Sequence, residues 1–139
     1  MTAVTPEATL RAFFDALNRR DYARAQACIA EHCQWESFGS GVVRVGPAAA
    51  IAGLREVTTA FPDWRAELLR VVTSGNCVVV EWNTRGTFDR PFRDRPPNGK
   101  RFERRGCAVA EVVDGKIARY RDYFDRAILL QQLDLMDLL

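Results

Sequence analysis

Apolar residues recur with two different periods along this chain, and the changes of period divide it into elements. Thr5-Pro6-Glu7 offers a hydroxyl cap, a proline for the first helical position and an acid for the first turn. Leu10, Phe13, Phe14 and Leu17 then fall at i, i+3, i+4 and i+7, the spacing of one helix face. Asn18-Arg19-Arg20-Asp21 interrupts this, and Asp21 caps a second, short helix with Tyr22, Ala25 and Ile29 on one side. His32 is expected at a helix end before the first strand, on the surface or capping the helix. From Cys33 to Phe38 the period drops to two, with Trp35 and Ser37 on one face and Gln34, Glu36 and Phe38 on the other. Gly39-Ser40-Gly41 ends that strand, and Val42 to Val45 is a short extended piece. Gly46-Pro47 opens a third helix with Ile51, Leu54, Thr58 and Phe61 inward; Pro62 stops it, and Trp64 follows.

Beyond Ala66 the pattern is that of strands. Glu67 to Thr73 is rich in β-branched residues, and Ser74-Gly75-Asn76 is turn chemistry. Cys77 to Phe88 alternates, with Val78, Val80, Trp82 and Thr84 opposite Glu81, Asn83 and Arg85. Asp89 to Asn98 is a proline- and arginine-rich excursion, and the charges from Arg90 to Arg105 read as a solvated hairpin. Arg101 to Val113 places Ala108, Ala110 and Val112 on one side and Cys107, Val109 and Glu111 on the other. Asp114-Gly115 is a tight-turn pair. The strand after it puts Ala118, Tyr120, Asp122 and Phe124 on the core side and Arg119, Arg121 and Tyr123 on the wet side. Leucines at helical spacing complete the chain to Leu139. Helices grouped against a mostly antiparallel sheet predict one α+β domain over residues 1–139, with a conical cavity between the two layers.

Composition narrows the partners. At 139 residues, with 47% apolar and 27% charged residues, the chain can bury a core without disulfides or metals. The net charge of +2 comes from interleaved bases and acids, which argues against a nucleic-acid footprint. No apolar run approaches the roughly 18 residues of a membrane span. Residues Met1 to Pro6 have neither a basic start nor an apolar signal core, so a cytoplasmic protein is expected. Cys28, Cys33, Cys77 and Cys107 are expected to be reduced and mostly buried, and with one histidine in the chain no metal site is expected. No cofactor is expected either.

Asp122 is the residue that this pattern makes conspicuous. A carboxylate on a core face costs free energy unless it is paired, protonated or used. Desolvation raises its pKa and suits it to proton transfer near neutral pH.

The order of elements, with Pro97-Asn98-Gly99-Lys100, Asp114-Gly115-Lys116-Ile117, Arg121-Asp122-Tyr123-Phe124-Asp125 and Gln132-Leu133, resembles the nuclear-transport-factor-2-like superfamily. Within it the chain is most similar to the SnoaL-like polyketide cyclases. The resemblance implies a cone-shaped α+β barrel and an acid/base carboxylate at Asp122 for intramolecular aldol closure. The histidine of those cyclases falls on Ala108. The run Arg121 to Asp125 also resembles limonene epoxide hydrolases, whose water-activating aspartate falls on Asp122. Their arginine and second aspartate fall on Trp82 and Thr84, and their tyrosine and asparagine on Trp35 and Ser37. The tyrosine and base of ketosteroid isomerases fall on Phe13 and Ser37, which sets that chemistry aside.

The expected lining around Asp122 is Phe13, Leu17, Trp35, Phe61, Trp64, Trp82, Tyr120 and Phe124, with Ser37, Thr84 and Tyr120 as donors to a carbonyl. Such a lining suits a flat hydrophobic or aromatic ligand. The expected function is cyclase- or isomerase-like chemistry on that ligand. The alternatives are epoxide opening and a non-catalytic module that binds a hydrophobic ligand. Val109 and Phe38, expected on the open outer face, suit a homodimer through the sheets.

Overall fold

A computed structural model describes residues 4–139 of the chain. The elements run α1 (Pro6–Asn18), α2 (Tyr22–Ala27), β1 (Ile29–Ser37), β2 (Val42–Val45), α3 (Pro47–Ala60), β3 (Arg65–Ser74), β4 (Cys77–Thr87), β5 (Arg101–Val113), β6 (Lys116–Phe124) and α4 (Arg126–Gln132), followed by a 3-10 turn at Met136–Leu138. Of the N-terminal stretch, Met1, Thr2 and Ala3 lie outside the described residues.

One six-stranded sheet, ordered β2-β1-β6-β5-β4-β3, carries the fold. Only β1 and β6 pair in parallel; every other neighbouring pair is antiparallel. The sheet curls without closing, so β2 and β3 remain as its edges. This is the α+β architecture expected, with an open curled sheet in place of a barrel.

Local chemistry explains the frame. Thr5 caps α1 by accepting from the Ala8 amide at 3.1 Å, and Asp21 caps α2 by accepting from Arg24. Leu10, Phe13 and Leu17 of α1 are almost wholly buried, and α1 packs across β3 to β6. Two side-chain amides clasp helices to strand backbone. Asn18 donates to the Ala66 carbonyl and accepts from its amide, each at 2.9 Å. Gln132 does the same at Glu103, at 3.0 and 2.7 Å, and Asn98 donates to the Leu133 carbonyl at 2.9 Å. These contacts seat α4 over one end of β5.

Several boundaries differ from expectation. Ile29, expected on α2, opens β1 and is buried, so His32 lies inside a strand, on its exposed face. The alternation of β6 holds from Arg119 onward but breaks at Ala118. Glu111 pairs with Arg119 and Val112 with Ile117, which leaves Ala118 as the bulged extra residue and turns Ile117 into the core. The terminal helix ends at Gln132 because Asp134 takes a left-handed conformation, φ 59°. Val109 is half-buried rather than open, whereas Phe38 is exposed and stacks on Tyr123 with centroids 4.8 Å apart. Of the four cysteines only Cys33 is buried; the other three are half-buried. Among the described residues no helix is long and apolar enough to cross a membrane.

One glycine governs how the inner face is built. Gly106 pairs with Trp82 on one side and Phe124 on the other. A Cβ at Gly106 would lie 2.5 Å from Trp82 Cη2 and 2.6 Å from the Tyr123 carbonyl. The indole therefore crosses β5 through a gap that any side chain would close. Gly106→Ala is expected to lower the unfolding free energy by about 1–3 kcal/mol, the usual cost of overpacking, in urea titration. An unchanged midpoint would show that the indole does not need that gap.

Candidate active site

A cavity of about 240 Å³ opens between the concave sheet face, α3 and α4. It lies a little below the roughly 300–1,000 Å³ usual for small-molecule sites. Its apolar wall comes from α3 (Leu54, Val57), from Phe61, and from Leu129, Leu130, Leu133 and Leu135 in and after α4. Its aromatic residues are Trp35, Phe61, Phe92, Phe102 and Phe124, and its polar ones include Ser37, Arg104 and Asp122.

Strand register sets the position of Asp122. It pairs with Ser37 of β1 on one side and Ala108 of β5 on the other. Ala108 has no reach, which leaves the carboxylate room on that side. One of its oxygens, Oδ1, is enclosed and has no hydrogen-bond donor from the protein. Burial pushes the carboxyl above the ordinary carboxylate range; the Ser37 hydroxyl and then the Arg104 guanidinium pull it back in part. On balance the site favours the neutral carboxyl more than water does.

Arg104 joins the site without having been expected there. It lines the cavity, and its guanidinium stacks on Phe124 at 4.0 Å and lies 5.1 Å from the Trp82 ring centroid. Its Nε donates to Thr84 Oγ1 at 3.0 Å. Burial lowers its pKa to about 10, opposed by Asp122 and then Tyr120, so it stays a cation at neutral pH. No ion pair forms between Arg104 and Asp122. The charges of Arg90 to Arg105 are therefore not all solvated. The signal was present in parity: counting back from Ala108, residues 106, 104 and 102 share the core face of β5. Phe102 is buried there as well.

Arg104 also changes what Thr84 means. Where the epoxide-hydrolase pattern expects charged residues on the middle strand, this chain has Trp82 and Thr84. The guanidinium comes instead from the neighbouring strand, at the register position opposite Thr84.

The other expected lining residues separate into two shells. Trp35, Ser37, Phe61, Phe124 and Asp122 line the cavity. Phe13, Leu17, Trp64, Trp82, Thr84, Ala108 and Tyr120 do not, and each has a physical reason. Tyr120 is covered by Trp35, stacked on it at 3.7 Å and 9°. Phe13 sits behind that pair, 5.3 Å from Trp35, and Leu17 is in the same core. Trp82 lies under Arg104, Thr84 is engaged by it, and Ala108 is too short. Trp64 is drawn to the end of α1, where Arg20 lies 5.8 Å from its ring and donates to its carbonyl. Phe92, Phe102 and the α4 leucines take their places. Phe92 comes from the excursion after β4, where no periodicity marks an inner face. Among the described residues no group of three or more metal-ligating side chains forms.

The comparisons agree with this architecture. The family model described as SnoaL-like polyketide cyclase matches residues 7–133. Among solved structures, wild-type IdmH from Streptomyces antibioticus, a candidate polyketide cyclase, is 25% identical with a TM-score of 0.82 over 94% of this chain and 99% of that one. A candidate SnoaL-like polyketide cyclase from Jannaschia is 19% identical, with a TM-score of 0.83 over 94% and 92%. An LEH-like epoxide hydrolase from M. tuberculosis is 22% identical, with a TM-score of 0.75 over 94% and 90%. A search of the curated proteins finds no match.

The raised pKa of Asp122 has a measurable sign. Below the unfolded carboxyl's pKa both states hold the proton, and burial of the group costs little. Between the unfolded and folded values the native state binds more protons than the unfolded one, so stability falls as pH rises. Above the folded value the penalty is complete. Asp122→Asn removes this dependence. The unfolding free energy of Asp122→Asn minus that of the wild type should grow from acid toward neutral pH, by about 1.4 kcal/mol per pH unit across that window. Urea unfolding over a pH series reads it, and a difference that shrinks with rising pH would contradict the assignment.

Proposed function

The chain belongs to the SnoaL-like polyketide cyclase family, and on that footing we propose that it is a cofactor-independent acid/base enzyme acting on a hydrophobic cyclic or polyketide-like ligand. The observation that carries this reading is a half-buried carboxylate, with one enclosed and unpartnered oxygen, sharing a largely apolar cavity with a guanidinium that it does not pair with. A pair closed into a salt bridge would be structural. Held apart, the two groups leave space for a reacting carbonyl.

In this mechanism Asp122 takes a proton from the carbon next to a ligand carbonyl. The C–H electron pair moves into the carbonyl, whose oxygen becomes an enolate facing Arg104. Preorganised positive charge at a developing oxyanion is worth most in a water-poor site. The enolate carbon then attacks a second carbonyl carbon of the same ligand and closes a ring. The resulting alkoxide takes the proton back from Asp122. The Ser37 hydroxyl favours the charged form of Asp122, and Trp35 and Phe124 offer flat faces to the ring system.

Epoxide opening is the second reading, favoured by one observation: Arg104 restores a guanidinium near Asp122 that β4 itself does not provide. In that case Asp122 activates water or an internal hydroxyl. A second copy of the chain packed on the outer sheet face belongs to the same proposal. Its support is the cross-strand row Val72, Val79 and Val109, the first two of which are exposed.

Asp122→Asn should lower kcat by about 10²–10⁴, the range for losing one general acid/base, with folding intact. Arg104→Met should lower kcat with less effect on KM. In the wild type, kcat/KM should rise with pH through a limb set by Asp122, displaced above the ordinary carboxylate range. Full activity in Asp122→Asn on any substrate the wild type turns over would end this reading.

A further inference from the structure

The charges lining the cavity do not balance within the protein. Four arginines line it (Arg44, Arg93, Arg104 and Arg126) against two carboxylates, Glu56 and Asp122. Three of the arginines have protein partners. Arg93 Nε donates to Glu56 at 3.1 Å, Arg126 to the Leu138 carbonyl at 2.6 Å, and Arg104 to Thr84 at 3.0 Å. Arg44, half-buried on edge strand β2, meets no carboxylate within ion-pairing reach among the described residues.

Two features hold Arg44 at the cavity. It pairs with Trp35, whose side chain also lines the cavity, so both lie on the inner face. Helix α3 passes it at Gly53, where a Cβ would lie 2.7 Å from Arg44 Nε and 2.9 Å from Cζ. A glycine inside a helix lowers helix stability; here it leaves space that the guanidinium occupies. Asp122 stands on the far side of β1, opposite Ser37. Strands about 4.8 Å apart, with about 3.3 Å per residue, put the two Cα atoms roughly 12 Å apart. That span is one a fused-ring ligand can bridge.

We propose that the ligand carries a carboxylate, bound by Arg44, on a hydrophobic ring system whose reacting carbonyl end reaches Asp122 and Arg104. A carboxylate takes two donors of one planar guanidinium. A single unpaired arginine beside apolar helix surface suits one anionic end rather than a polyphosphate. The inference rests on the acid/base reading of the site and adds the charge and orientation of its substrate.

The test is calorimetric titration of the protein with 2-naphthoate and, as its uncharged match, 2-naphthamide. The wild type should bind the acid about tenfold or more tighter than the amide, as for a hydrogen bond to a charged group. Arg44→Met should erase that preference and leave the amide's affinity unchanged. Gly53→Ala keeps the charge but fills the space beside it; it should reduce the preference while the melting temperature holds or rises. Equal binding of acid and amide by the wild type overturns the inference, as does a preference that survives Arg44→Met or remains whole in Gly53→Ala. Binding of neither compound overturns it together with the hydrophobic-ligand reading. The naphthyl pair needs no turnover, so inactivity of the protein on test substrates does not alter this readout.

Discussion

A carboxylate and a guanidinium share one apolar cavity in this protein without meeting, and the rest of the structure keeps them in that relation. Strand register places Asp122 between Ser37 and Ala108, where neither neighbour offers it a counter-charge. Arg104 is held one strand away by the Thr84 hydroxyl and by stacking on Phe124. Phe124 is in turn fixed over Gly39, where a Cβ would lie 2.5 Å from its ring. Taking both charges out of water is costly, and a direct pair would recover only part of that cost. The arrangement gives up that recovery, which makes sense where a ligand's developing charge is to be stabilised.

The layers behind the cavity serve the same end. Tyr120, Phe13 and Trp82 back the lining residues Trp35, Phe124 and Arg104 and limit their rotamers. A site whose lining is fixed by a second layer loses little entropy when a ligand binds. Helix α4, clasped to β5 through Gln132, supplies leucines that cover the same space. The residues expected to touch ligand but found in the second layer therefore still bear on the chemistry, through the side chains they support.

Much of the frame was legible because it depends on local rules. The Asp114-Gly115 turn appears with both residues at positive φ, 51° and 73°, and the alternation of β4 holds except where Asn83 is buried between Trp82 and Thr84. Asp122 was found because its strand keeps a strict period of two from Arg119 to Phe124. The bulge at Ala118 was not legible, since a register shift depends on the partner strand. Arg104 was masked by its neighbours: a run dense in arginines reads as solvated until each residue is assigned a face. The order of layers was out of reach for a different reason. Periodicity says that Trp35 and Tyr120 both face inward, but only the stacking of one ring on the other decides which of them meets the cavity.

The chemistry of the site depends on Asp122 titrating under the opposing influences of burial and Arg104. Carbon-13 NMR of the Asp122 carboxyl, followed through a pH titration in the wild type and in Arg104→Met, tests it most directly. The midpoint should lie above that of an ordinary aspartate and move higher still when the guanidinium is removed. A midpoint at or below the ordinary value, or one that does not respond to the loss of Arg104, would contradict it.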